Sequence, residues 1–145
     1  MPYAHYLTFF ASHKDPRAFA QFVQDVEAII ENAPEGSDLC GRSPKEAPIV
    51  LPDRIIVGSS QNASPFSRLK VLLHGNAPKH RYPMIVIRTD RLVYDAVICA
   101  CLLAFRHSFP ASEITSDGTS DDWASGIALY EFSTERKAPV THIRK

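Results

Sequence analysis

An α+β fold is what the order of elements in this sequence predicts. The expected form is a two-layer sandwich, a mixed or antiparallel sheet of about five strands with helices packed mainly on one face. Three observations carry that expectation. Apolar alternation and short β-branched runs mark strands at residues 3–10, 54–59, 68–74 and 84–88, with an edge strand at 113–116. Helical periodicity marks three segments, beginning at Pro16, near Val93 and just before Trp123. Only two of those helices lie between strands, and several strands follow one another directly. The order β-α-β-β-β-α-β-α therefore has too few crossover helices for a doubly wound parallel sheet.

The first strand puts Tyr3, His5, Leu7 and Phe9 on one face and Ala4, Tyr6, Thr8 and Phe10 on the other. Aromatics on both faces predict a central strand. Asp15-Pro16 is a helix start: the carboxylate accepts from free backbone N–H groups, and proline is preset for the first turn. Phe19, Phe22, Val23, Val26, Ile29 and Ile30 recur at helical spacing until Pro34 and Gly36 end the helix. Residues 35–52 read as a long loop rich in Pro, Gly, Ser and charge. Ile55 and Val57 share a face of the next strand, and 61–65 is a turn. In 68–74, Leu69, Val71 and Leu73 oppose Lys70 and His74, so one face is near water. After a second loop, 75–83, the run MIVIR reads as a buried strand. The helix at 93–109 is apolar almost all round from 96 to 105, which predicts the central core helix. Arg106 and His107 suit the negative end of its dipole, and Pro110 stops it. Trp123, Ile127 and Tyr130 form the stripe of the last helix.

The chain of 145 residues has the length of one ordinary domain. Residues 1–133 are expected to form it, with 134–145 a basic, loosely held tail. Sixteen basic residues balance sixteen acidic ones. That gives no long-range pull on nucleic acid or an anionic membrane, so neither partner is expected. The first residues lack the pattern of a secretory signal, and the longest apolar run is about half of what a membrane span needs. An odd number of cysteines, three, fits a reducing compartment; a cytoplasmic protein is expected. Cys99 and Cys101 point to different sides of their helix and read as buried thiols rather than a metal pair.

Two stretches carry candidate chemistry. In SDGTSDDW (116–123), Thr119 or Ser120 suits a helix N-cap, Asp121 and Asp122 suit the first turn, and Asp117-Gly118 suits a turn. The functional alternative is that Asp117, Asp121 and Asp122 bind a cation or act as acid and base. The stretch does not match the twelve-residue calcium loop. In RTDRLVYD (88–95), Arg88 and Arg91 beside a helix N-terminus suit a phosphate or carboxylate. Their structural alternative is pairing with Asp90, Asp95 or the aspartates of 116–123. Six histidines are present, and none of His5, His13, His74, His80, His107 and His142 has ligand spacing to another, so no metal is expected. His107 suits a helix end; its catalytic alternative is a general base oriented by Asp117 or Asp122. No nucleophile-elbow, phosphate-loop, dinucleotide-binding or C-x-x-C pattern occurs, and no cofactor is expected.

The C-terminal half, RTDRLVYDAVICACLLAFRHSF followed by SDGTSDDWASGIALYE, resembles a family of small uncharacterised proteins of bacteria and their phages. That family opens on a Tyr-rich strand like YAHYLTF. It carries Lys-Thr-x-Arg-x-Pro-Tyr-Asp, an apolar helix ending in His, and then Ser-Asp-Gly-x-x-x-Asp-Trp. The matching positions are Thr89, Arg91, Tyr94, Asp95, His107, Ser116, Asp117, Gly118, Asp122 and Trp123. Arg88 stands in place of the Lys and Val93 in place of the Pro. The resemblance covers about half the chain well and implies a surface rather than a reaction. It gathers Thr89, Arg91, Tyr94, Asp95, Asp117 and Asp122 where the core helix begins and the last loop ends. If 113–116 lay beside 84–88 in parallel, both strand ends would share one sheet edge, a place where ligands bind.

Two functions from different classes follow. One is a non-catalytic binding module for a small anionic ligand or a protein partner, with homo-oligomers allowed, using Arg88, Thr89, Arg91, Tyr94, Asp95, Asp117 and Trp123. It needs arginines free of internal carboxylates. The other is a small hydrolase or transferase with an Asp/His acid–base pair drawn from His107, Asp117 and Asp122. It needs that pair within hydrogen-bond reach.

Overall fold

The computed structural model describes residues 2–8, 15–73, 84–138 and 143–144. Phe9, Phe10, His13, His74, His80, His142 and the loop 75–83 lie outside them. The described residues form three helices and eight strands, and the fold is α+β as expected. The strands are more numerous than expected and make two sheets of four.

The first sheet runs β6 (Met84–Arg88), β1 (Ala4–Thr8), β7 (Glu113–Ser116), β8 (Ile143–Arg144). β1 is central, and its aromatics explain why: Tyr3, His5 and Leu7 are buried, while Tyr6 and Thr8 opposite are half-buried. β1 is antiparallel to both β6 and β7. The expected parallel adjacency of 84–88 and 113–116 is thus corrected, because β1 sits between them. They still run the same way, and their ends meet the start of β1: Arg88 pairs with Ala4 and Ser116 with His5. The shared edge survives.

In the second sheet, β2 (Leu39–Cys40), β3 (Ile49–Leu51) and β5 (Leu69–Leu72) all pair antiparallel with β4 (Arg54–Ser59). β2 and β3 fall inside the segment read as a loop. Runs of two and three residues show no period, so composition hid them.

α1 (Pro16–Glu31) begins as expected, with the Asp15 carboxylate accepting from Arg17 N at 2.9 Å and Ala18 N at 3.4 Å. α2 (Asp95–Ser108) is buried from Val97 through Phe105 and packs between α1 and α3 (Ser120–Thr134). A single apolar cluster joins the helices to both sheets. Phe22 bridges α1 to α2, edge-on to Phe105 at 5.1 Å. Gly126 sets how closely α3 approaches α2: a Cβ there would stand 2.3 Å from Cys99 Cβ and 3.2 Å from Ala96 O. Gly126→Ala is therefore expected to destabilise by about 1–3 kcal/mol despite alanine's better helix propensity. A urea denaturation midpoint measures it.

Part of the segment 134–145 is tied down. Arg136 pairs with buried Asp25, Ala138 N donates to Glu131 Oε2 at 2.8 Å, and β8 joins β7 in parallel. None of the described helices is long and apolar enough to cross a membrane.

Candidate functional site

The edge where β6 ends, β7 ends and β1 begins is held by carboxylates. After β6 the chain turns through Asp90 and Arg91, both left-handed with φ of 52° and 59°. Two consecutive non-glycine residues in that region store strain, which here is imposed by contacts to β1. Thr89 N and Asp90 N both donate to Tyr3 O at 3.1 Å. Asp90 accepts from Tyr3 N at 3.2 Å and pairs with Arg88 at 2.9 Å. On the other flank, Asp117 accepts from Ala4 N at 3.0 Å. The turn lays the Arg91 guanidinium over the Tyr3 ring, 4.1 Å from its centroid, where it also reaches Asp122 at 3.4 Å.

Asp122 has two duties. It completes a capping box with Thr119, accepting from Thr119 N at 2.8 Å, and it meets Arg91. The backbone bond and the guanidinium hold its carboxyl below the usual range. Asp90 is likewise lowered, chiefly by Arg88.

Beneath the edge lies a buried polar network. His5 is fully buried and bonds Ser116 Oγ through Nδ1 and Asp95 Oδ1 through Nε2, both at 2.7 Å. Ser116 Oγ also accepts from Gly118 N at 2.9 Å and Trp123 Nε1 at 3.1 Å. Those two donors occupy both lone pairs, so the hydroxyl proton must point at His5 Nδ1. The imidazole proton is then on Nε2, donated to Asp95. Thr89 Oγ1 donates to the same Asp95 oxygen, and Cys99 Sγ lies 3.7 Å from the other. Burial, then Asp95, pushes the Cys99 thiol well above its ordinary value. The Tyr3 hydroxyl is buried without a hydrogen-bond partner. Burial raises the Tyr3 phenol above its usual range, with Asp95 and Asp122 adding to it. Ser116 is the hydrogen-bonding group nearest to the Tyr3 hydroxyl and acts to lower its pKa, but the Ser116 oxygen has no lone pair left to offer. Gly118 makes room for that hydroxyl: a Cβ there would lie 2.1 Å from it.

Asp95 is also the network's face to solvent. It lines an open cleft of about 450 Å³ with Pro34, Arg91, Leu92, Val93, Ala96, Asp121, Asp122 and Ser125. Three carboxylates thus face one guanidinium.

The residues expected to form a site divide into groups. Arg91, Asp95 and Asp122 meet at the cleft. Thr89, Tyr94 and Trp123 are buried behind it. Tyr94 accepts from Asn62 Nδ2 at 3.0 Å and donates to Ser67 O at 2.7 Å, which ties the α2 start to the second sheet. Arg88 and Asp117 hold β1 on either side. His107 is not in this region. It lies at the other end of α2, about 18 Å along the helix from Asp95. Burial first, then Arg136, lowers its pKa. The expected pairing of His107 with Asp117 or Asp122 is therefore not assembled. The acid–base pair that does form, His5–Asp95, was missed. Its signal was a histidine in the middle of a strand otherwise apolar on that face. His5, Asp95 and Cys99 also place one ligand atom each within 4.8 Å of one another, a grouping that histidine spacing alone does not reveal.

Comparison of the chain with family models, with curated proteins and with solved structures finds no match. The functional reading therefore rests on this geometry.

Proposed function

We propose that the protein is a non-catalytic binding module that seats a small ligand in the cleft between the 91–96 turn and the start of α3. The observation that carries this is the cleft itself, walled by strained backbone and by a carboxylate fixed from behind by His5. Its charge argues against the anion suggested by the arginines. Arg88 is held by Asp90 and Arg91 by Asp122, while Asp95, Asp121 and Asp122 supply the excess. A small amine, with an apolar part against Pro34, Leu92, Val93 and Ala96, fits that lining better.

A catalytic reading has one observation in its favour, the His5–Asp95 bond at the cleft wall. Its nearby nucleophiles are out of a ligand's reach: Ser116 is 2% exposed with its oxygen fully engaged, and Cys99, 3.5 Å from His5 Nε2, is fully buried.

A thermal-shift screen with small amines, guanidines, phosphates and carboxylates tests the proposal. An amine at a hundred times its dissociation constant is expected to add about 2.7 kcal/mol. Asp121→Asn and Asp122→Asn are expected to weaken that shift and Arg91→Ala to preserve it. Stabilisation by phosphate, lost in Arg91→Ala, restores the anionic ligand. Turnover of a bound amine converts the module into an enzyme, and no response to any class removes the ligand site.

A further inference from the structure

The cluster of His5, Asp95 and Cys99 is the one place among the described residues where nitrogen, oxygen and sulfur donors of metal-ligating type converge. His5 Nε2 stands 3.5 Å from Cys99 Sγ, and Cys99 Sγ stands 3.7 Å from Asp95 Oδ2. Zinc bonds of about 2.3 Å to sulfur and about 2.0 Å to nitrogen or oxygen, at tetrahedral angles, separate neighbouring donors by about 3.3–3.5 Å. The His5–Cys99 edge already has that length, and the edge from Cys99 to Asp95 Oδ2 exceeds it by about 0.2 Å. His5 Nε2 meets the other Asp95 oxygen, Oδ1, at 2.7 Å, so this hydrogen bond must break and the carboxylate must turn for one oxygen to face both nitrogen and sulfur at about 3.3–3.5 Å. All three residues sit on regular elements, one on β1 and two a single turn apart on α2. Each oriented group has a support: Ser116 on His5 Nδ1 and Thr89 on Asp95.

We propose that His5, Asp95 and Cys99 form a binding site for a zinc-like divalent transition metal, entered past Asp95 from the cleft. This goes beyond the cleft's own ligand and does not depend on it. Binding has a balanced proton account. Cys99 gives up its thiol proton to solvent. His5 releases Nε2 to the metal and carries its proton on Nδ1, where it donates to Ser116. The Ser116 hydroxyl then turns to the buried Tyr3 oxygen, which otherwise has no partner. Ser116 can accept only two donors. The longest present contact, Trp123 Nε1 at 3.1 Å, is the one released. One proton leaves per metal ion, and the only tryptophan, edge-on to the His5 ring at 5.0 Å, reports the change.

The test is titration of the full, metal-stripped chain with Co²⁺ and then Zn²⁺. The expected result is one equivalent bound, a thiolate-to-cobalt charge-transfer band, a change in Trp123 fluorescence and displacement of cobalt by zinc. Cys99→Ala is expected to abolish the band, with Cys40→Ala and Cys101→Ala retaining it. Ser116→Ala is expected to weaken binding about 10–100-fold. Absence of the band in the wild-type chain overturns the proposal whether or not any variant folds. A band that survives in folded Cys99→Ala also overturns it.

Discussion

Asp95→Ala is expected to lower the free energy of unfolding by on the order of 3 kcal/mol, far more than its position at a cleft rim suggests. The carboxylate accepts from His5 Nε2 and Thr89 Oγ1 and lies near the Cys99 thiol. Its removal strands the His5 and Thr89 donors, both on fully buried residues, and an unsatisfied buried donor costs about 1–3 kcal/mol. Water entering from the cleft relieves part of that, so the full sum is not reached. Asp95→Asn keeps the acceptor oxygen that serves both His5 and Thr89 and presents only the Cys99 side with a donor. It is expected to cost about half as much as the alanine variant. Urea denaturation of the two variants measures the order. A change within about 0.5 kcal/mol for Asp95→Ala, the range of ordinary surface substitutions, means the network does not form.

Trp123→Ala is expected to cost about 3–5 kcal/mol, as truncation of a fully buried aromatic does. The side chain packs edge-on to His5 and donates to Ser116. Trp123→Phe keeps most of the ring volume and removes the donor, so about 1 kcal/mol is expected to separate it from wild type. Both variants are expected to bind the cleft ligand normally once corrected for the folded fraction, because Trp123 does not line the cleft. Denaturation curves and ligand titrations on the same samples check the pair. Loss of binding in Trp123→Phe without loss of stability returns this residue to the ligand surface.

Much of this arrangement was legible in the sequence because it is written locally. Asp15-Pro16, the stripe of α1, the apolar belt of α2 and the Thr119 cap each depend on neighbours a few residues away. The meeting of Arg91 with Asp122 across 31 residues was also within reach, since both stretches frame one helix. Other features depend on long-range partners and were not legible. Only the insertion of β1 between β6 and β7 gives His5 its two partners. The sites of β2 and β3 are fixed by what β4 offers them, not by their own pattern. The preferred reading of His107 as a helix-end residue holds, since it lies in the last turn of α2; its alternative as a base beside Asp117 or Asp122 does not, because Arg91 and Asp95, which meet Asp122, stand at the other end of that helix.

The central position of β1 also governs how the chain reaches its native state. During synthesis this strand emerges well before either neighbour, and His5 must wait for Ser116, 111 residues later. Until then at least the flank that pairs with β7 has no native mate, and before β6 emerges neither flank has one. Such long-range closure slows folding and leaves a sticky, unpaired segment during the wait. A nascent chain stalled before β7 emerges is thus a natural client for a chaperone, however stable the finished protein is.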